Sequence, residues 1–163
     1  MLSLRCLLTA LVVNLALGCV LAPAAAAQLA DRKTLTLEGA KRIMAAAEAE
    51  ALKNKWTVAI AIVDEAGDLV AFHKVDDTQA GSIDIAMAKA RTAARLKRPT
   101  KALEDAVASG RTVLLAVDGV MPLEGGVPIT VEGRIIGAVG VSGVTSQQDA
   151  QVAQAGVSAL GVK

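Results

Sequence analysis

A glycine-punctuated stretch near the C-terminus constrains this chain most: Gly125-Gly126-Val127-Pro128-Ile129-Thr130-Val131-Glu132-Gly133-Arg134-Ile135-Ile136-Gly137-Ala138-Val139-Gly140-Val141-Ser142-Gly143. It reads as a glycine loop, a strand, a two-residue turn at Glu132-Gly133, and a second strand interrupted at Gly137, Gly140 and Gly143. A turn this tight forces the two strands to run antiparallel. Glycine weakens a strand, so its repetition here marks places where another backbone or a ligand comes close. The spacing Gly137-x-x-Gly140-x-x-Gly143 is not a dinucleotide fingerprint, because the glycines lie within a strand rather than between strand and helix.

The rest of the chain supplies partners for that hairpin. Thr36 is placed to cap a helix running to about Asn54, with Leu37, Ala40, Ile43, Met44, Ala47 and Ala51 as its apolar stripe. Trp56 to Asp64 is apolar on both alternating faces, the mark of a central strand covered on both sides. Glu65-Ala66-Gly67 turns the chain into a second strand, Asp68 to Val75. A second helix is predicted from Ile83 to about Lys97, stopped by Pro99. Thr100 then reads as the cap of a third helix ending near Gly110. Val113 to Val117 reads as a short apolar strand, and Ser146-Gln147-Gln148-Asp149 as the capping box of a last helix to Leu160. The expectation is an α+β domain: one antiparallel sheet of five strands with flanking helices.

The first 27 residues read as an address. Arg5 precedes an apolar run from Cys6 to Leu21, and Ala25-Ala26-Ala27 offers a small-residue cleavage site. This predicts a secretory signal peptide over 1–27, a mature domain over 28–163, and a periplasmic or secreted location. Leu17-Gly18-Cys19 resembles the end of a lipobox, but the alanine run beyond it favours ordinary cleavage. Both cysteines, Cys6 and Cys19, lie in that leader. The mature domain then has no disulfide, no thiolate metal site and no covalent heme link, and no span that crosses a membrane. Cleavage takes away one of 17 basic residues and none of the 16 acidic ones. A neutral domain whose aromatics are Trp56 and Phe72 suits neither phosphate backbones nor base stacking, so no nucleic-acid partner is expected.

Three segments together resemble the GlcG/HbpS family of heme-binding proteins, related to the C-terminal domain of PduO-type proteins. They are Ile62-Val63-Asp64-Glu65-Ala66-Gly67-Asp68-Leu69-Val70-Ala71-Phe72, then Gly81-Ser82-Ile83-Asp84-Ile85-Ala86 with Lys89-Ala90-Arg91-Thr92-Ala93, then Gly125 through Gly143 with Gln148-Asp149. The resemblance runs from about Leu35 to Leu160. It implies a profilin-like five-stranded antiparallel sheet with flanking helices, assembly into a homo-oligomer, and non-covalent binding of heme or a related tetrapyrrole in some members.

Candidate site residues follow, each with a plainer alternative. His73 is the only histidine and a candidate iron ligand; the plainer reading, and the favoured one, is a half-exposed strand-end residue beside Lys74 and Asp76. Arg91, Arg95 and Arg98 share one helix face and suit carboxylates such as propionates, or else form a solvated face or pair with Glu104 and Asp105. Arg91 lies in the family-like segment. By resemblance Thr100 approaches the heme iron; by local physics it caps a helix. Gly125 and Gly126 either present open N–H groups to a bound group or make a turn that needs positive φ. Asp149 reads as a capping acid and Asp64 as structural. Catalytic sets built on histidine or cysteine are absent from the mature domain. The resemblance makes an exported, oligomeric heme-binding protein the leading function. The alternative is an enzyme or accessory factor for a small hydroxy or oxo acid, with Arg91 as clamp and Asp64 or Lys89 as acid/base.

Overall fold

A computed structural model describes residues 31–161. The signal-peptide and lipobox readings, with Cys6 and Cys19, lie outside the described residues. Thr36 caps α1 (Leu37–Lys53), its hydroxyl accepting from Gly39 N at 3.1 Å. β1 (Ala59–Asp64) and β2 (Leu69–Lys74) form the first hairpin; α2 (Ser82–Leu96) and α3 (Thr100–Ala108) follow. A 3₁₀ helix (Thr112–Ala116) leads into the hairpin of β3 (Gly126–Val131) and β4 (Arg134–Ser142), and α4 (Ser146–Ser158) closes the fold.

The strands pair antiparallel in the order β2-β1-β4-β3, so each hairpin keeps its own partners and β1 joins β4 at the centre. β1 is buried on both faces, as its uninterrupted apolar run requires. The faces differ in bulk. One presents Ile60, Ile62, Ile129, Val139 and Val141 to α1 and α4. The other presents Ala59, Ala61 and Ala138 to Ala86, Ala90 and Ala93 of α2. Branched side chains fill the first layer at about 1.5–3 kcal/mol each. Alanine on alanine lets α2 lie close against the sheet. At the β3–β4 turn, Glu132 and Gly133 both have positive φ, 50° and 75°, the geometry that matches hairpin twist.

The α+β class and the antiparallel sheet stand, but three local readings need correction. Among the described residues the sheet has four strands, not five. The run expected as a strand at 113–117 turns as a 3₁₀ helix instead. Gly110 and Gly119, at φ 100° and 73°, bracket it, and the amides of Leu114, Val117 and Val120 bond to carbonyls three residues back. Those donors are spent locally and cannot join a ladder. Thr100 is not a helix cap: Pro99 holds that position, and Thr100 is the first residue of α3. The capping box of α4 lies one residue earlier than expected, between Thr145 and Gln148, which frees Asp149 for the interior. No helix among the described residues is long and apolar enough to cross a membrane.

Candidate functional site

Thr100 and the glycine pair meet. The Thr100 hydroxyl is fully buried and accepts a hydrogen bond from Gly126 N at 2.8 Å. Val141 N donates to Gly125 O at 3.0 Å, so β4 secures the other glycine. The N–H of Gly126 is therefore occupied rather than open. The glycines answer first to packing. A Cβ on Gly126 would stand 2.5 Å from Lys89 O, and one on Gly125 would stand 2.7 Å from Lys89 Nζ. Gly125 also has φ 123°, a conformation few side chains tolerate.

Behind the pair lies a buried ion pair that sequence reasoning did not find. Lys89 Nζ donates to Asp149 Oδ2 at 2.8 Å and to Val141 O at 3.0 Å. Asp149 Oδ1 accepts from Val144 N at 3.2 Å. Both side chains are almost wholly excluded from solvent. Burial pushes the Asp149 carboxyl above the ordinary carboxylate range, against the hydrogen bond and charge of Lys89. The pair ties α2, β4 and the start of α4 to one another behind the glycine loop. One signal for it was in the sequence: Lys89 stands three residues from Ala86 and four from Ala93, inside an otherwise alanine-lined helix face.

In front of the glycines is a cleft of about 330 Å³. It is lined by Pro99 and Lys101, by Glu124, Gly125, Gly126 and Val127, and by Gln147, Ala150, Gln151 and Gln154 of α4. Lys101 is ion-paired with Asp105, whose hydrogen bond holds the ammonium above its ordinary value, with Glu124 and Glu104 adding to the effect. Glu124 N donates to Glu104 Oε2 at 2.6 Å, while the Glu124 Oε2 atom is buried without a hydrogen-bond partner.

The other candidates sit elsewhere. His73 lies on β2 with its side chain half exposed, Nδ1 3.1 Å from Glu48 Oε2, and does not line the cleft. Arg91 Nε donates to Gly67 O at 3.3 Å and Arg95 Nε to Ala66 O at 2.7 Å, so both arginines hold the β1–β2 turn. Neither pairs with Glu104 or Asp105. Asp64 Oδ1 accepts from the amides of Ala66 and Asp68, each at 2.9 Å, in the same turn. The three residues nominated for hydroxy-acid chemistry, Arg91, Asp64 and Lys89, thus all have structural partners. No cluster of three or more His, Cys, Asp or Glu side chains among the described residues could hold a metal ion.

The Thr100 tether is testable. Thr100→Val keeps the shape and removes the acceptor, leaving Gly126 N buried and unpaired. Unfolding free energy is expected to fall by about 1–3 kcal/mol, read by urea denaturation; Thr100→Ser should lose much less.

These features define an α+β domain with a four-stranded antiparallel sheet, helices on both faces, and a glycine-floored cleft. The chain belongs to the HbpS-like family: the family model described as "Haem degrading protein HbpS-like" matches residues 35–158. Protein GlcG of Escherichia coli strain K12 is 48% identical over 108 residues, covering 66% of this chain and 81% of that protein. The crystal structure of HbpS superposes with a TM-score of 0.77 at 32% identity, covering 83% of this chain and 97% of HbpS. The crystal structure of a PduOC–heme complex does so with a TM-score of 0.75 at 28% identity, over 80% of this chain and 98% of PduOC.

Proposed function

We propose that this chain is an exported, homo-oligomeric protein that binds heme without a covalent link. The likeness to PduOC in its heme complex carries the reading, since it extends over 80% of this chain. The cleft's chemistry is compatible. Val127, Pro99 and Ala150 offer apolar contact, and Lys101 with the glutamine amides of α4 offers donors for carboxylates. A cleft of about 330 Å³ is smaller than a whole tetrapyrrole, so the group would enter by one edge. Lys101 is the cation of the lining that would meet a propionate, and Glu124 beside it would disfavour one. Bound heme would supply a redox-active iron; the chain's part is to bury one edge of the ring and pair its charges. Export belongs to the same proposal, because cleavage near Ala27 removes both cysteines and leaves only non-covalent binding.

Hemin titration followed at the Soret band tests the reading. Wild-type protein should give a saturable shift. His73→Ala should leave it unchanged, because His73 is engaged with Glu48 outside the cleft. Loss of the shift in His73→Ala would move the iron site to β2. Absence of saturable binding in the wild type would end the heme reading and bring forward a small hydroxy or oxo acid.

A further inference from the structure

Four large apolar side chains are left in solvent within eleven residues. Val113 is 64% exposed, Leu115 62%, Val117 47% and Leu123 37%. Other exposed large hydrophobics, Leu37, Leu52 and Leu69, are far apart in sequence and need no explanation singly. This group is different. It falls on one 3₁₀ helix and its flanks, and turn hydrogen bonds satisfy the backbone there. The segment therefore stands in solvent with its backbone satisfied, and its apolar side chains project around it. The run that reads in sequence as a short apolar strand is one that the single chain does not bury, and apolar surface left exposed in this way marks an association surface.

We propose that the segment 111–123 is where two copies of this chain meet, across a two-fold axis that sets Arg111 of each against Asp118 of the other. This deepens the homo-oligomer part of the reading above and names its surface. Charge decides the occupant. Arg111 and Asp118 are the only charged residues of the segment and flank its apolar run, one at each end. Both are exposed, and neither forms an ion pair among the described residues. An identical segment laid antiparallel meets opposite charge at both ends; laid parallel, it meets like charge. Self-complementarity of this kind is what a two-fold interface requires. An anionic membrane is a poor match, since the surface carries one cation and one anion. The patch also runs up to the cleft, because Leu123 directly precedes Glu124. A second copy seated there would stand beside the cleft and help cover a ligand that enters by one edge.

Sedimentation velocity across a micromolar dilution series, at low salt, tests the proposal. Wild-type protein should sediment as a dimer or larger. Leu115→Asp should sediment as a monomer with unchanged far-UV circular dichroism, since the residue is exposed and folding does not depend on it. Arg111→Asp and Asp118→Arg should each weaken association about tenfold by putting like charges together, and the double swap should restore it. A monomeric wild type would overturn both the assembly reading and this surface. An assembled wild type that Leu115→Asp leaves intact would overturn the surface and spare the assembly. A double swap as weak as the single ones would overturn the two-fold register. Hemin titration of the monomeric Leu115→Asp protein reads heme binding separately from assembly.

Discussion

Lys89→Met is expected to lower the unfolding free energy by about 3–5 kcal/mol at neutral pH. That is a large part of the roughly 5–15 kcal/mol that holds a domain of this kind together. Its melting temperature should fall on the order of 10 °C or more. Methionine replaces the lysine stem well, so the loss is electrostatic. Asp149 is left buried with the Val144 amide and no counter-ion. Its carboxyl, already raised by burial, is raised further without Lys89. The folded variant then holds the Asp149 proton to a higher pH than the unfolded chain, where the group titrates near about 3.9. Stability of the variant falls as pH rises through the window between those two values, and the penalty fades as pH drops towards the lower one. Urea denaturation at several pH values from 4 to 7 reads this directly. Lys89→Met with Asp149→Asn should regain most of the loss at neutral pH, because asparagine keeps the acceptor for Val144 N and removes the charge. A loss equal at all pH values, or no recovery in the double variant, would remove the ion pair from the explanation.

Much of the fold was legible because it is written locally. Thr36 caps α1 through contacts three residues apart, the two-faced apolar run of β1 requires cover on both sides, and Glu132-Gly133 needs nothing but its own backbone angles. What failed was decided by distant parts of the chain. Thr100 has the chemistry of a helix cap, yet its hydroxyl is claimed by an amide 26 residues away. The run 113–117 has strand composition, but glycines bracket it and, among the described residues, no strand pairs with it. Asp149 looked like a capping acid until Thr145 took the cap and Lys89, 60 residues away, took the carboxylate. Thr100, Gly125 and Gly126 were singled out separately and are joined in space. His73 was chosen for its imidazole and Arg91 for its guanidinium and its place in the family-like segment; the fold engages them with Glu48 and with the β1–β2 turn. Glu124 was overlooked because its defining property, a buried oxygen without a partner, exists only in three dimensions.

Gly140→Ala should be about as damaging as breaking the ion pair, for a steric reason. A Cβ at this position would stand 2.1 Å from Ala86 O and 2.4 Å from Ala90 N. Both are backbone atoms of α2, so no rotamer change relieves the clash. The helix must lift from the sheet, and the alanine layer that lets it lie so close loses contact along its length. Overpacking of a dense core costs about 1–3 kcal/mol where side chains can yield. Here they cannot, so a loss of about 3 kcal/mol or more is expected from urea denaturation. Gly81→Ala is the matched control: its Cβ would meet nothing within 4 Å, and its φ of −64° suits any residue. It should change stability by no more than about 0.5 kcal/mol. The displacement in Gly140→Ala would also reach the cleft, because α2 carries Lys89 beneath Gly125 and leads into Pro99 and Thr100. Hemin affinity should therefore fall in Gly140→Ala even under conditions where the variant remains folded. A variant as stable as Gly81→Ala would mean that α2 does not rest on β4 as closely as the glycine spacing requires.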